Sequence, residues 1–177
     1  QLMNDRGTIT ALDNNPQKLR QLDNEMQRLG VSIVQPVCRD LQIPGTEKQP
    51  TGFDRVLVDA PCSGLGVMRR NPDIKWNSSP ERLSRLAGIQ KQILNNLATS
   101  VKPGGILVYT VCSMEPEESE AVIEDFLKNQ SNFVIDNDLG KLSAAIQSSI
   151  NPVNGFTTLA FSEHMDGFFL ARLKRKK

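Results

Sequence analysis

Apolar positions along this chain alternate between two periods, and the switches between them mark out its elements. Thr8 to Leu12 is a β-prone run closing at Asp13. Asn14, Asn15 and Pro16 then start a helix, with Asn15 as N-cap and Pro16 at the first helical position. Leu19, Leu22, Met26 and Leu29 recur at helical spacing until Gly30 stops the helix. Val31 to Val37 is strand-like and leads to Cys38-Arg39-Asp40, and the Pro- and Gly-bearing stretch Ile43 to Gly52 is a surface loop. Phe53 to Asp59 is a strand whose apolar run, Val56 to Val58, suits a parallel strand covered on both faces. A long loop follows to about Ser79, where Ser78 or Ser79 with Pro80 and Glu81 opens a long helix. Leu83, Leu86, Ile93, Leu94, Leu97 and Val101 form its apolar stripe. Pro103-Gly104-Gly105 turns into the strand Ile106 to Val111, and Pro116 starts a helix that faces Val122, Ile123, Phe126 and Leu127 inward. A weak strand at Phe133 to Ile135, a polar stretch from about Asp136 to Ser162 and a last strand at Gly167 to Leu173 complete the pattern.

No internal repeat is visible. Strands alternating with helices predict an α/β chain with a mainly parallel sheet. Such sheets bind ligands at the carboxyl ends of their strands. Asp13, Asp40, Asp59, Cys62 and Cys112 all fall at or just after such ends, which is the main functional signal in the pattern.

Composition narrows the class. At 177 residues, 38% hydrophobic, the chain is sized for one domain, residues 1–177, with a real core. No apolar run nears the roughly 18 residues of a membrane span, and no signal-peptide pattern opens the chain. The three cysteines are too few for a disulfide framework and lack the spacing of a zinc site, so no metal is expected. A reducing, cytoplasmic compartment is the simplest reading. The net charge of +1 does not announce nucleic acid, but the charges are segregated. Arg69, Arg70 and Lys75 cluster beside Trp76, and five of the last six residues are basic, although a basic tail is commonly a solvated end. Gln1 to Gly7 reads as the last turn of a helix, so the chain is expected to be the later part of a longer protein.

The strand-end residues carry the candidate chemistry. Asp13 suits the hydroxyls of a nucleotide ribose, and equally a turn or cap; Asp40 could hold the amino group of an adenine, or simply sit in a loop. Asp59-Ala60-Pro61-Cys62 puts a carboxylate, a rigid proline and a thiol within four residues at the exit of a strand, although free cysteines often serve as small buried hydrophobes. Cys112 ends the next such strand, where the start of the following helix would favour a thiolate and Glu115, Glu117 and Glu118 would oppose it. Arginines of the 69–76 loop suit phosphates, and Trp76 suits stacking on a base or capping the core. His164 stands alone and receives no role.

Taken together, these residues resemble the RNA 5-methylcytosine methyltransferases of the RsmB/Sun type, which act on small-subunit ribosomal RNA. Asp59-Ala60-Pro61-Cys62-Ser63-Gly64 resembles that family's motif IV, and Thr110-Val111-Cys112-Ser113 its motif VI. The stretches Arg69 to Trp76, Lys102 to Gly105, Glu115 to Glu118 and Asp166 to Phe169 support the likeness, which runs from Thr8 to Leu173. The resemblance implies a Rossmann-like class I fold with helices on both faces of the sheet, and S-adenosylmethionine as cofactor. It implies Cys112 as the nucleophile at C6 of cytosine, Asp59 as the base's hydrogen-bond partner and Cys62 as an aid to resolving the adduct. Asp13, Asp40 and Asp59 would line the cofactor, and Arg69, Arg70 and Lys75 the RNA. The family's first strand and glycine-rich cofactor loop would precede Gln1, so the fold is expected to be N-terminally truncated here, with an RNA-binding domain further upstream. Two other readings stay open: an RNA-binding remnant without catalysis, and a nucleotide-dependent oxidoreductase. The latter lacks its G-x-G-x-x-G fingerprint in this chain.

Overall fold

In the computed structural model the described residues are 3–43, 50–136, 156–158 and 166–177. They fall into two compact units, Gln1–Pro44 and Gly45–Lys177.

In the smaller unit, β1 (Ile9–Asp13) pairs in parallel with β2 (Val34–Cys38), Asp13 opposite Cys38. Between them runs α1 (Pro16–Arg28), started as the sequence predicts: Asn15 Oδ1 accepts from the N–H groups of Gln17 and Lys18. Its apolar stripe is shallower than expected, for Leu19 is buried while Leu29 is exposed. Met3–Asp5 forms a turn, not a helix end, with Asn4 and Asp5 at positive φ.

The larger unit is built on β3 (Phe53–Asp59), β4 (Val101–Val111), β5 (Phe133–Ile135), β6 (Phe156–Thr158) and β7 (Phe168–Arg175). Its sheet runs β3-β4-β7-β5, with β6 also on β7. The β3–β4 pair is parallel, whereas β7 runs antiparallel to β4, β5 and β6. The sheet is therefore mixed, with parallel pairing confined here to β3–β4. Alternation along β4 buries Leu107, Tyr109 and Val111 on one face, matched on β7 by Phe169, Ala171 and Leu173. Burial of each such large side chain contributes about 1.5–3 kcal/mol.

Three helical expectations shift. The 65–77 loop holds two 3₁₀ turns, Leu65–Val67 and Pro72–Asn77. α2 (Pro80–Leu97) is capped by Ser79 as predicted, but Val101, assigned to its stripe, instead opens β4. The last helix, α3 (Glu120–Asn129), starts four residues after Pro116 because residues 116–119 are occupied by a turn. α2 and α3 pack on each other. Val56 to Val58 is not covered on both faces: Val58 is buried, but Leu57 on the opposite side is 69% exposed, β3 being an end strand of this sheet. Of the predicted polar stretch, Asp136 is described and Phe156–Thr158 forms β6; residues 137–155 and 159–162, and His164, lie outside the described residues.

Candidate active site

Parallel pairing delivers two loops to one place. Asp59 of β3 lies opposite Thr110 of β4, so both strands leave the sheet at the same edge. The N–H of Ala60 still donates to the carbonyl of Thr110 at 3.1 Å, which carries the pairing one residue past Asp59. Two residues further, the Cys62 thiol meets that of Cys112, with the sulfurs 3.2 Å apart. Burial, reinforced by contact with Cys112, pushes the Cys62 thiol from an ordinary 9.0 up to about 12. Cys62 therefore keeps its proton at neutral pH, and either sulfur can be the S–H donor of the pair. Asp59 is exposed beside them. The helix expected from Pro116 begins only at Glu120, after a turn over residues 116–119.

Beneath the thiols lies a polar cluster that the sequence does not announce. Glu118, assigned above as an acid opposing Cys112, is fully buried and closed off by donors. Ser63 gives it two hydrogen bonds, N–H to Oε1 at 2.8 Å and hydroxyl to Oε2 at 2.5 Å. Gln90 of α2 donates to the same Oε1 at 3.0 Å and to the carbonyl of Pro61 at 2.9 Å. Tyr109 donates to the main-chain carbonyl of Glu118 at 2.7 Å, and burial together with that carboxylate pushes its phenol well above the usual range. Ser63 Oγ also lies 3.3 Å from Ser113 Oγ, one residue beyond Cys112. Gln90 had one legible signal, a polar residue within an apolar helical stripe; Glu118, in an acidic run, had none.

Two glycines complete the joint. The N–H of Gly66 donates to the carbonyl of Cys112 at 3.0 Å, and that of Gly167 to the carbonyl of Gly66 at 2.8 Å. A Cβ on Gly66 would collide with the Gly167 carbonyl and lie 3.1 Å from that of Cys112. Only glycine admits three backbone segments this close.

The other candidates belong to the smaller unit or to the surface. Asp13, at the end of β1, and Asp40, two residues past β2, stand at the carboxyl end of adjacent strands. Each spends one oxygen on a local turn: Asp13 Oδ1 accepts from the N–H of Asn15 at 2.7 Å, Asp40 Oδ1 from that of Gln42 at 2.9 Å. Asp13 Oδ2 lies 3.8 Å from Lys18 Nζ. Carboxylate oxygens at such strand ends fit the hydroxyls of a ribose and the amino group of an adenine. In the larger unit, Trp76 does not cap the core; it is 78% exposed, with Lys75 Nζ 4.7 Å from its ring centroid. Arg69 is exposed, and Arg70 is paired with the largely buried carboxylate of Asp166. The basic tail is more than a solvated end, since Arg172 pairs with Asp136 at 2.7 Å, Arg175 donates to the carbonyl of Val101, and Lys176 to that of Ser131 at 2.7 Å. Among the described residues no helix is long and apolar enough to cross a membrane.

Residues 1–174 match the family described as 16S rRNA methyltransferase RsmB/F. The chain is 36% identical to the probable ribosomal RNA small subunit methyltransferase B of Bacillus subtilis, over 99% of its own length and 39% of the relative's. It is 37% identical to ribosomal RNA small subunit methyltransferase B of an Enterobacter species, over 95% of its own length and 37% of the relative's. It thus spans well under half the length of these relatives. Among solved structures, a methyltransferase homologue from Pyrococcus horikoshii superposes with a TM-score of 0.76 at 28% identity, over 98% of this chain and 55% of that one. NSun6 from Pyrococcus horikoshii, solved with SFG, gives 0.80 at 24% identity over 99% and 43%, a likeness of fold. The Rossmann-like methyltransferase fold is therefore shared, and the oxidoreductase reading falls away. Two cysteine loops meeting at the end of parallel strands, on a sequence matched almost from end to end, lead to one conclusion: this chain belongs to the RsmB/F family of 16S rRNA methyltransferases.

Proposed function

We propose that this chain, as one catalytic domain, transfers a methyl group to C5 of a cytosine in small-subunit ribosomal RNA through a covalent adduct at C6. The observation that carries the reading is the contact between Cys62 and Cys112 beside Asp59. Cytosine C5 is a poor nucleophile, and adding a thiolate to C6 makes it electron-rich. The likeness of Thr110-Val111-Cys112-Ser113 to the family's motif VI makes Cys112 the nucleophile: its thiol gives up its proton to solvent, its carbon–sulfur bond forms at C6, and the C5–C6 π pair moves towards C5 and N3. Asp59 accepts a hydrogen bond from the amino group on the cytosine edge and so orients the ring for attack at C6. When bound, S-adenosylmethionine would supply the methyl group as an electrophile on a sulfonium, and Asp13 and Asp40 would hold its ribose and adenine. Once C5 carries the methyl group it gives its proton to a solvent water, that C–H pair restores the C5–C6 double bond, and the electron pair of the carbon–sulfur bond goes back to Cys112. The S–H of Cys62 steadies that departing sulfur.

The target cytosine must leave its stack for a thiol to reach C6. Trp76, exposed and flanked by Lys75, offers a face for a neighbouring base, and Arg69 and Lys75 present charge to phosphates, Arg70 being paired with Asp166. A protein acting on ribosomal RNA works in the cytoplasm. The test is transfer of labelled methyl from S-adenosylmethionine to unmethylated small-subunit RNA by the whole protein. Label in 5-methylcytosine, lost in Cys112→Ala and reduced in Asp13→Ala through weaker cofactor binding, is the expected result. Salt-sensitive RNA binding without any transfer would leave an RNA-binding remnant instead.

A further inference from the structure

We infer that Glu118 is a positioning residue for methyl transfer, its buried carboxylate setting the spacing of the two thiols. The inference rests on the methyl-transfer reading for its role, and on hydrogen bonds alone for its geometry. A carboxylate without solvent is stable only where donors surround it, and Glu118 has three, all from groups tied to the Cys62 loop. Ser63, next to Cys62, contributes its N–H and hydroxyl. Gln90 contributes one amide hydrogen and spends the other on the carbonyl of Pro61, on the opposite side of Cys62. Cys62 is thus bracketed on both sides by residues that Glu118 holds directly or through Gln90.

The same residue is tied to the other thiol. Its own carbonyl accepts from Tyr109, three positions before Cys112 on β4. Ser63 Oγ and Ser113 Oγ, each one residue beyond its cysteine, are 3.3 Å apart. The loops carrying Cys62 and Cys112 therefore share one buried anchor, and the 3.2 Å separation of the sulfurs follows from it. Gln90 reinforces the point: its Oε1 is buried with no hydrogen-bond partner, so both of its donors are committed while its acceptor goes unmet.

The experiment compares Glu118→Ala, Glu118→Gln and Gln90→Leu with wild type in the whole protein, all carrying Cys38→Ser to remove the exposed third thiol. Two readouts are taken. The first is kcat and KM for methyl transfer. The second, without RNA, is the rate at which diamide joins Cys62 to Cys112, followed by peptide mass spectrometry. There the two thiols give up two protons and two electrons to the azo bond, which becomes a hydrazine, and a disulfide forms.

Glu118→Ala should lower kcat about 100-fold, the scale of an ångström-sized misplacement, while leaving KM for RNA unchanged, and should slow the cross-link about 10-fold. Glu118→Gln should recover both to within about five-fold, because a carboxamide oxygen still accepts from Ser63 and Gln90 while its NH₂ donates to Ser63 Oγ. Wild-type kcat and cross-linking in a folded Glu118→Ala, with only a lower urea midpoint, would overturn the inference. So would a Glu118→Gln as impaired as the alanine variant. If Glu118→Ala does not fold, Gln90→Leu decides: it keeps the volume and loses both donations, so each rate should drop about 10-fold, and wild-type rates would refute the role. If the wild-type protein transfers no methyl group, the proposed function fails, while the diamide rates still decide whether Glu118 sets the thiol spacing.

Discussion

Gly66 gives the sharpest test of how the two cysteine loops are joined. Replacing it with alanine puts a methyl group into the Gly167 carbonyl, 2.7 Å from that residue's carbonyl carbon and 3.1 Å from the Cys112 oxygen. Neither obstacle is a side chain that can swing away, so backbone must move. The forced separation costs about 1–3 kcal/mol as overpacking. The hydrogen bonds from Gly66 to Cys112 and from Gly167 to Gly66 are lengthened or lost, at about 0.5–1.5 kcal/mol each. The sum, on the order of 2–6 kcal/mol, is a large share of the roughly 5–15 kcal/mol that keeps a domain folded. Gly88 is the matched control: it lies mid-α2, exposed, and a Cβ there meets nothing within 4 Å. Gly88→Ala should therefore stabilise by about 0.5–1 kcal/mol through helix propensity. Urea unfolding followed by circular dichroism ranks the three proteins. A Gly66→Ala midpoint equal to wild type, or below-wild-type stability only in Gly88→Ala, would refute the close backbone junction.

Further outcomes follow from the same geometry. Because the folded-state value of the Cys62 thiol is raised from 9.0 to about 12, its contribution to stability is complete below pH 9 and is lost as pH rises towards 12; Cys62→Ser should flatten the alkaline fall in urea midpoint, though the buried phenol of Tyr109 keeps some of it. Asn15→Ala and Ser79→Ala each remove a helix cap and should cost about 1 kcal/mol, read as a lower thermal midpoint. Trp76→Ala should weaken RNA binding by about 1–3 kcal/mol without altering its salt slope, whereas Lys75→Ala should reduce that slope by about one; both are read from fluorescence anisotropy over a salt series.

The elements with strong local signals were legible in the sequence. Asn15-Pro16 and Ser79-Pro80 start helices where their caps say they should, and Phe53–Asp59 is a strand over its expected span. Burial was harder to read: Val56 to Val58 resembles a strand covered twice, but apolar character alone does not say whether a neighbour arrives, and Leu57 is exposed. The direction of β7 was also hidden, since period and composition are the same for parallel and antiparallel strands. At the site, the strand-end rule found Asp59, Cys62 and Cys112 because it depends only on where strands stop. It could not find Glu118, Gln90 or Gly66, whose importance lies in contacts with residues 28 to 101 positions away along the chain. Arg70 shows the reverse case. A cation beside Trp76 suggests a phosphate, yet in the fold it is paired with Asp166, nearly a hundred positions on.

The central claim is that Cys112, steadied by a protonated Cys62, forms the bond to RNA. The direct measurement is to incubate the whole protein with S-adenosylmethionine and RNA carrying 5-fluorocytosine at the target, then locate the trapped nucleotide by mass spectrometry. Fluorine at C5 leaves no proton to lose, so the adduct persists. The account expects the nucleotide on Cys112, with trapping abolished in Cys112→Ala and retained in Cys62→Ala. A nucleotide on Cys62, or trapping that survives Cys112→Ala and vanishes in Cys62→Ala, would contradict it.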